Sequence, residues 1–65
     1  MIKINKNAWY YNEAQLIRAE MKQAFPEKDN YELLHACIER ALFLYEGTPF
    51  MCRDIISTLF EIIKL

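Results

Sequence analysis

The side chains with which a search for nucleophilic chemistry begins in this 65-residue sequence are the single histidine, His35, and two cysteines, Cys37 and Cys52. A cysteine nucleophile needs a base within hydrogen-bond reach. His35 and Cys37 are two positions apart, which places them on nearly opposite sides of a helix, so His35 cannot activate that thiol locally. Nothing in the sequence brings Cys52 to the histidine. We therefore predict no catalytic residue.

Metal and cofactor sites also lack the residues that they require. A structural zinc site takes four ligands, commonly from closely spaced cysteine or histidine pairs, and this chain has two distant cysteines and one histidine. Gly47 is the only glycine, so a glycine-rich phosphate loop cannot form. Glu32 and Glu39 flank His35 by one helical turn, a pattern typical of a solvated polar face. The sequence therefore predicts a non-enzyme without metal or cofactor.

The charge balance limits the class of partner. Eight basic and nine acidic residues give a net charge of −1, and the basic residues are scattered along the chain. Nucleic-acid binders usually carry a basic stripe, because neutralising phosphates dominates their affinity. Nucleic acid is therefore not the expected partner. No run of about 20 apolar residues is present, so we expect no membrane span.

The first twelve residues lack the apolar core and cleavage site of a secretory signal. We therefore expect a cytoplasmic protein whose two cysteines are reduced. The abundance of Ile, Lys and Asn is typical of genes from low-GC bacteria or phages, which is the expected origin.

The elements that position these residues are predicted as one all-α domain over residues 1–65. An N-terminal arm spans 1–11, and three helices follow at about 13–25, 30–46 and 50–65. Hydrophobic residues recur at helical spacing through all three segments. In the arm, Ile2 and Ile4 alternate with polar residues, which fits either a short strand or an extended segment.

Local signals mark the ends of the helices. Asn12 is a candidate N-cap for the first helix, which Pro26 ends. Asp29 and Glu32 have capping-box spacing at the start of the second helix. The predicted end of that helix has a C′ glycine at Gly47, followed by Thr48 as N-cap and Pro49 as first residue of the third helix. The alternative keeps 48–52 extended and starts the third helix near Arg53.

The third helix carries more apolar surface than two neighbouring helices can easily cover. Exposing such side chains costs roughly 1.5–3 kcal/mol each, and a chain this short is marginal by itself. We therefore predict a homodimer with the third helix at the interface. The alternatives are a monomer whose arm crosses this helix, and a monomer whose third helix binds another protein. The predicted protein-interface residues are Ile56, Phe60 and Ile63 for the dimer, with Phe43, Ala36 and Trp9 as further contacts.

The first functional hypothesis is a small protein–protein interaction module, a regulator or inhibitor that binds another protein. Phe43 at the centre of a charged helix face is its most indicative residue. The alternative is a DNA-binding transcriptional regulator of helix-turn-helix or winged-helix type. Residues 47–59, Gly-Thr-Pro-Phe-Met-Cys-Arg-Asp-Ile-Ile-Ser-Thr-Leu, resemble the opening of some winged-helix domains. In a helix-turn-helix placed over the second and third helices, the third would be the recognition helix, and its surface is apolar instead of basic and amide-rich. A third hypothesis is a structural subunit that is stable only within a larger assembly.

Overall fold

The computed structural model describes residues 7–64, and within this range the chain forms three helices and no strand. The helices are α1 (Trp9–Ala24), α2 (Asn30–Leu44) and α3 (Pro49–Ile62), and each contacts both of the others. This confirms the predicted all-α fold of three packed helices. The longest helix has 16 residues, and none in the described range is long and apolar enough to cross a bilayer.

Helix α1 begins earlier than the sequence predicts. Its first residue is Trp9, and Ala8 occupies the N-cap position without a side-chain hydrogen bond. The predicted cap, Asn12, therefore lies inside the helix. Contacts across the bundle explain the extra turn, because Tyr10 packs on the core and tertiary packing outweighs a local cap signal. Of the predicted arm, residues 1–6, with the Ile2 and Ile4 pattern, lie outside the described range.

The other helix ends follow local chemistry more closely. Helix α1 ends at Ala24, just before the Phe25–Pro26 pair. At the start of α2, the backbone N–H of Glu32 donates to Asp29 Oδ1 at 2.8 Å, which confirms the predicted cap. Helix α3 begins at Pro49 with Thr48 at the N-cap position, so its alternative start near Arg53 is wrong.

Gly47 does not have the predicted role of C′ residue. Helix α2 ends at Leu44 with Tyr45 as its C-cap, two residues before the predicted end at Glu46, and no described glycine has a positive φ. The backbone N–H and the hydroxyl of Thr48 both donate to the Tyr45 carbonyl, at 3.0 and 3.1 Å. These two bonds satisfy the Tyr45 carbonyl at the C-cap of α2. The helix therefore ends without a glycine in the left-handed backbone region.

All three helices contribute to one apolar core. The side chains of Ile55 and Leu59, on α3, are fully buried at its centre. Ile63 is also buried, with 3% of its surface exposed, so it is not available for the dimer contact predicted from the sequence. The remaining core members come from α1, α2 and the start of α3: Ala14, Ile17, Leu33, Leu34, Cys37, Ala41 and Cys52.

Candidate functional site

The histidine and the two cysteines lie in different environments, His35 on the surface and both thiols in the core. His35 Nδ1 lies 3.2 Å from Glu39 Oε1, and both side chains are exposed. Cys37 is buried in the core, and this burial raises the pKa of its thiol to about 11, partly offset by the nearby charge of Arg18. A thiol with a raised pKa is a poor nucleophile at neutral pH. Within residues 7–64, no group of three His, Cys, Asp or Glu side chains could hold a metal ion.

What the fold does present is exposed apolar surface. Among the described residues, ten large apolar side chains are exposed. Single exposed apolar residues are ordinary, whereas contiguous ones mark interaction sites. Two groups of them can be traced through shared grooves and side-chain contacts, one between α2 and α3 and one between α1 and α2.

The first group forms a groove between the end of α2 and the start of α3, called here the α2–α3 groove. It encloses about 590 Å³. Its apolar lining consists of Leu42, Tyr45, Pro49, Cys52 and Ile56, and its polar lining of Glu46, Arg53 and Ser57. Leu42 is exposed and Ile56 is half-buried.

Phe60 extends this apolar surface. It lies four residues after Ile56 and therefore one turn along the same side of α3. Its side chain is 56% exposed. The structure thus places two of the three residues predicted for the dimer, Ile56 and Phe60, on one surface, and separates them from the buried Ile63.

Trp9 borders the same groove through Tyr45. The two ring centroids lie 6.0 Å apart with an interplanar angle of 44°, and Trp9 remains 45% exposed. Burial raises the pKa of the Tyr45 hydroxyl, and the hydrogen bond that it donates to the Glu13 carboxylate raises it further. Tyr45 is therefore a neutral hydrogen-bond donor that joins the end of α2 to α1.

The second group, called here the Phe43 surface, lies between α1 and α2. Phe43 is 70% exposed, and its neighbour in the chain, Leu44, is 43% exposed. Leu44 shares a groove with Leu16 and Glu20 of α1. The guanidinium of Arg40 lies 5.7 Å from the centre of the Phe43 ring, and Arg40 Nε donates to Glu20 Oε1 at 3.0 Å. Both helices therefore contribute to this surface.

The Ala36 position adjoins the Phe43 surface, because Arg40 lines the groove that contains Ala36 and also lies over the Phe43 ring. Ala36 is partly buried in a groove that Met21 and Phe25 of α1 also line. Sequence reasoning paired it with Phe43 because both lie on one side of α2. In the structure, side chains of α1 lie against that side of α2, so little of the Ala36 surface is exposed.

Leu16, Leu42 and Tyr45 are the surface residues that sequence reasoning missed. Leu16 falls off the apolar stripe of α1, which is a usable signal for an exposed contact. Leu42 and Tyr45 lie within the wide apolar face of α2, and the packing of α1 and α3 determines which part of that face is covered.

Comparison with known proteins does not assign this surface to a family. No protein-family model, no curated protein and no solved structure matches the chain.

Proposed function

We propose that this chain is a small non-enzymatic protein–protein interaction module that forms a homodimer through the α2–α3 groove. The observation that carries the proposal is the apolar lining of this groove, in which Leu42 is exposed and Ile56 half-buried, together with the exposed Phe60 one turn further along α3. Each such side chain left in water costs roughly 1.5–3 kcal/mol, and burying it against a second protein surface removes that cost.

The charges at the groove favour a second copy as its occupant. Glu46 and Arg53 both line it, with one negative and one positive charge. Two copies of this surface can therefore approach without a like-charge penalty, in the self-complementary manner of a two-fold interface. Dimerisation also adds buried apolar area to a chain of 65 residues, a size at which a single core contributes only a few kcal/mol.

The positions of the cations favour protein over DNA as the ligand. Lys28, Arg40 and Arg53 each lie over a phenylalanine ring, with 5.2, 5.7 and 5.4 Å to the ring centroid. Arg40 is also paired with Glu20. Cations held in this way neutralise carboxylates and cover aromatic rings, whereas DNA binding needs them in a row along a phosphate backbone.

Sedimentation equilibrium tests the proposal. The wild-type chain should approach twice its monomer mass of 7.8 kDa as its concentration rises. Phe60→Glu should remain monomeric, because the carboxylate would be buried opposite an apolar surface. Phe43→Glu is the matched control, since Phe43 is also an exposed phenylalanine but lies on the other surface, and it should still dimerise. A wild-type chain that stays monomeric at millimolar concentration would refute the homodimer.

A further inference from the structure

The Phe43 surface combines apolar and acidic side chains in a way that specifies its partner. We infer that it binds a basic amphipathic helix of another protein, one with leucine-like side chains along one side and lysines or arginines beside them. This inference rests on the proposed function, since it names the partner class of the interaction module. It concerns a surface separate from the α2–α3 groove.

The apolar side chains of this surface do not pack in the core. Phe43 and Leu16 are 70% and 64% exposed, and neither belongs to the core cluster or packs against it. Aromatic and aliphatic side chains of this size are the usual anchors of an interface, where they fill the spaces between the side chains of a partner helix.

The charged part of the surface is mainly acidic. Glu39 lies one turn before Phe43 on α2. Glu13 and Glu20 line the groove on α1 that also contains Leu16. The cation among them, Arg40, is paired with Glu20. Three carboxylates and one guanidinium give this surface a net charge of −2, whereas the whole chain carries −1.

This excess of negative charge selects among the occupants of an apolar surface. A second copy of the same surface would be repelled, and so would nucleic acid or an acidic helix, because like charges brought together at an interface cost several kcal/mol. Lysine or arginine side chains beside apolar anchors would instead meet Glu39 and Glu13. Attraction of this kind raises the association rate and weakens with salt.

Fluorescence anisotropy with a labelled synthetic helix of leucine and lysine tests the inference. The full-length chain should bind this peptide saturably, more weakly at about 500 mM than at about 50 mM salt. It should not bind the counterpart in which glutamate replaces every lysine. Phe43→Ser should weaken binding about tenfold, as expected for an interface anchor. Glu13→Gln combined with Glu39→Gln should reduce the salt dependence.

Phe60→Ser is the matched control, since it removes an exposed phenylalanine from the other surface and should leave peptide affinity within about twofold. Sedimentation of the same samples separates the two proposals, because Phe43→Ser should still dimerise and Phe60→Ser should not. Equal binding of the acidic and basic peptides, or an affinity unchanged by Phe43→Ser, would overturn the inference. Absence of saturable binding to the basic peptide would also overturn the inference, whether the protein sediments as a monomer or as a dimer.

Discussion

The indole ring of Trp9 lies 6.0 Å from the phenol ring of Tyr45, so the first turn of α1 contacts the end of α2. Trp9→Ala should lower the free energy of unfolding by about 1–2 kcal/mol, because it removes a half-exposed aromatic contact. Urea denaturation followed by circular dichroism measures this change. Leu16→Ala is the control, since that side chain is exposed on the same helix and should change stability by less than about 0.5 kcal/mol. Equal effects of the two substitutions would show that the ring contact contributes nothing.

The start of α2 gives a second test. Asp29→Ala should destabilise the protein by about 1 kcal/mol, because the backbone N–H of Glu32 loses its hydrogen-bond acceptor. Asn12→Ala serves as the comparison. Asn12 has the residue type of an N-cap but lies inside α1, so its replacement should be neutral or slightly stabilising. Chemical denaturation of both variants checks this, and a loss at Asn12 as large as that at Asp29 would restore the helix start predicted from the sequence.

The buried thiol of Cys37 predicts a loss of stability at alkaline pH. Its pKa is raised from 9.0 in the unfolded chain to about 11 in the fold. The fold therefore favours the protonated thiol, and this contribution is complete below pH 9 and is lost as the pH rises through about 11. The expected loss is on the order of 2 kcal/mol, measured by urea denaturation between pH 8 and about 11.

Cys37→Ala provides the control for this pH dependence. The variant is less stable at every pH because of the cavity, but its stability should fall less steeply across the same range. Tyr45→Phe measures the contribution of the Tyr45 hydroxyl to the same pH dependence. The pKa of that hydroxyl is also raised by burial and by its bond to Glu13. If Cys37→Ala and the wild type lose stability in parallel, the thiol is not responsible.

The two cysteines should differ in reactivity. Cys52 lines the α2–α3 groove with 5% of its surface exposed, whereas Cys37 is completely buried. N-ethylmaleimide should therefore modify Cys52 first, and peptide mapping by mass spectrometry distinguishes the two sites. If a second copy covers the groove, Cys52 should react more slowly as the protein concentration increases. A Cys52 rate that is independent of concentration would argue against an interface at this groove.

Much of the fold could be predicted because its signals are local. Apolar side chains at helical spacing, the proline at position 26, and the Asp29 and Thr48–Pro49 signals identify three helices and most of their ends. The start of α1 could not be predicted, because it depends on contacts of Trp9 and Tyr10 with residues distant in the sequence. Tertiary contacts of this kind routinely extend a helix beyond its local cap.

The candidate surface was only partly predictable for a related reason. Helical spacing predicts that the side chains of Phe60 and Phe43 lie outside the core, and both are exposed. It cannot distinguish Ile56 from Ile63, which are seven residues apart and would lie on the same side of the helix predicted over 50–65. Ile63 is buried while Ile56 lines the groove. That difference depends on how α1 and α2 pack across α3. A local sequence pattern does not determine this packing.

Isotope-filtered NMR on a mixture of labelled and unlabelled chains tests the homodimer most directly. The Phe60 ring of one chain should show intermolecular contacts to the Leu42 and Ile56 methyl groups of its partner. The same spectrum should show no intermolecular contacts to Phe43, which lies on the other surface. A sample with the mass of a dimer but with contacts at Phe43 and none at Phe60 would contradict the proposed interface.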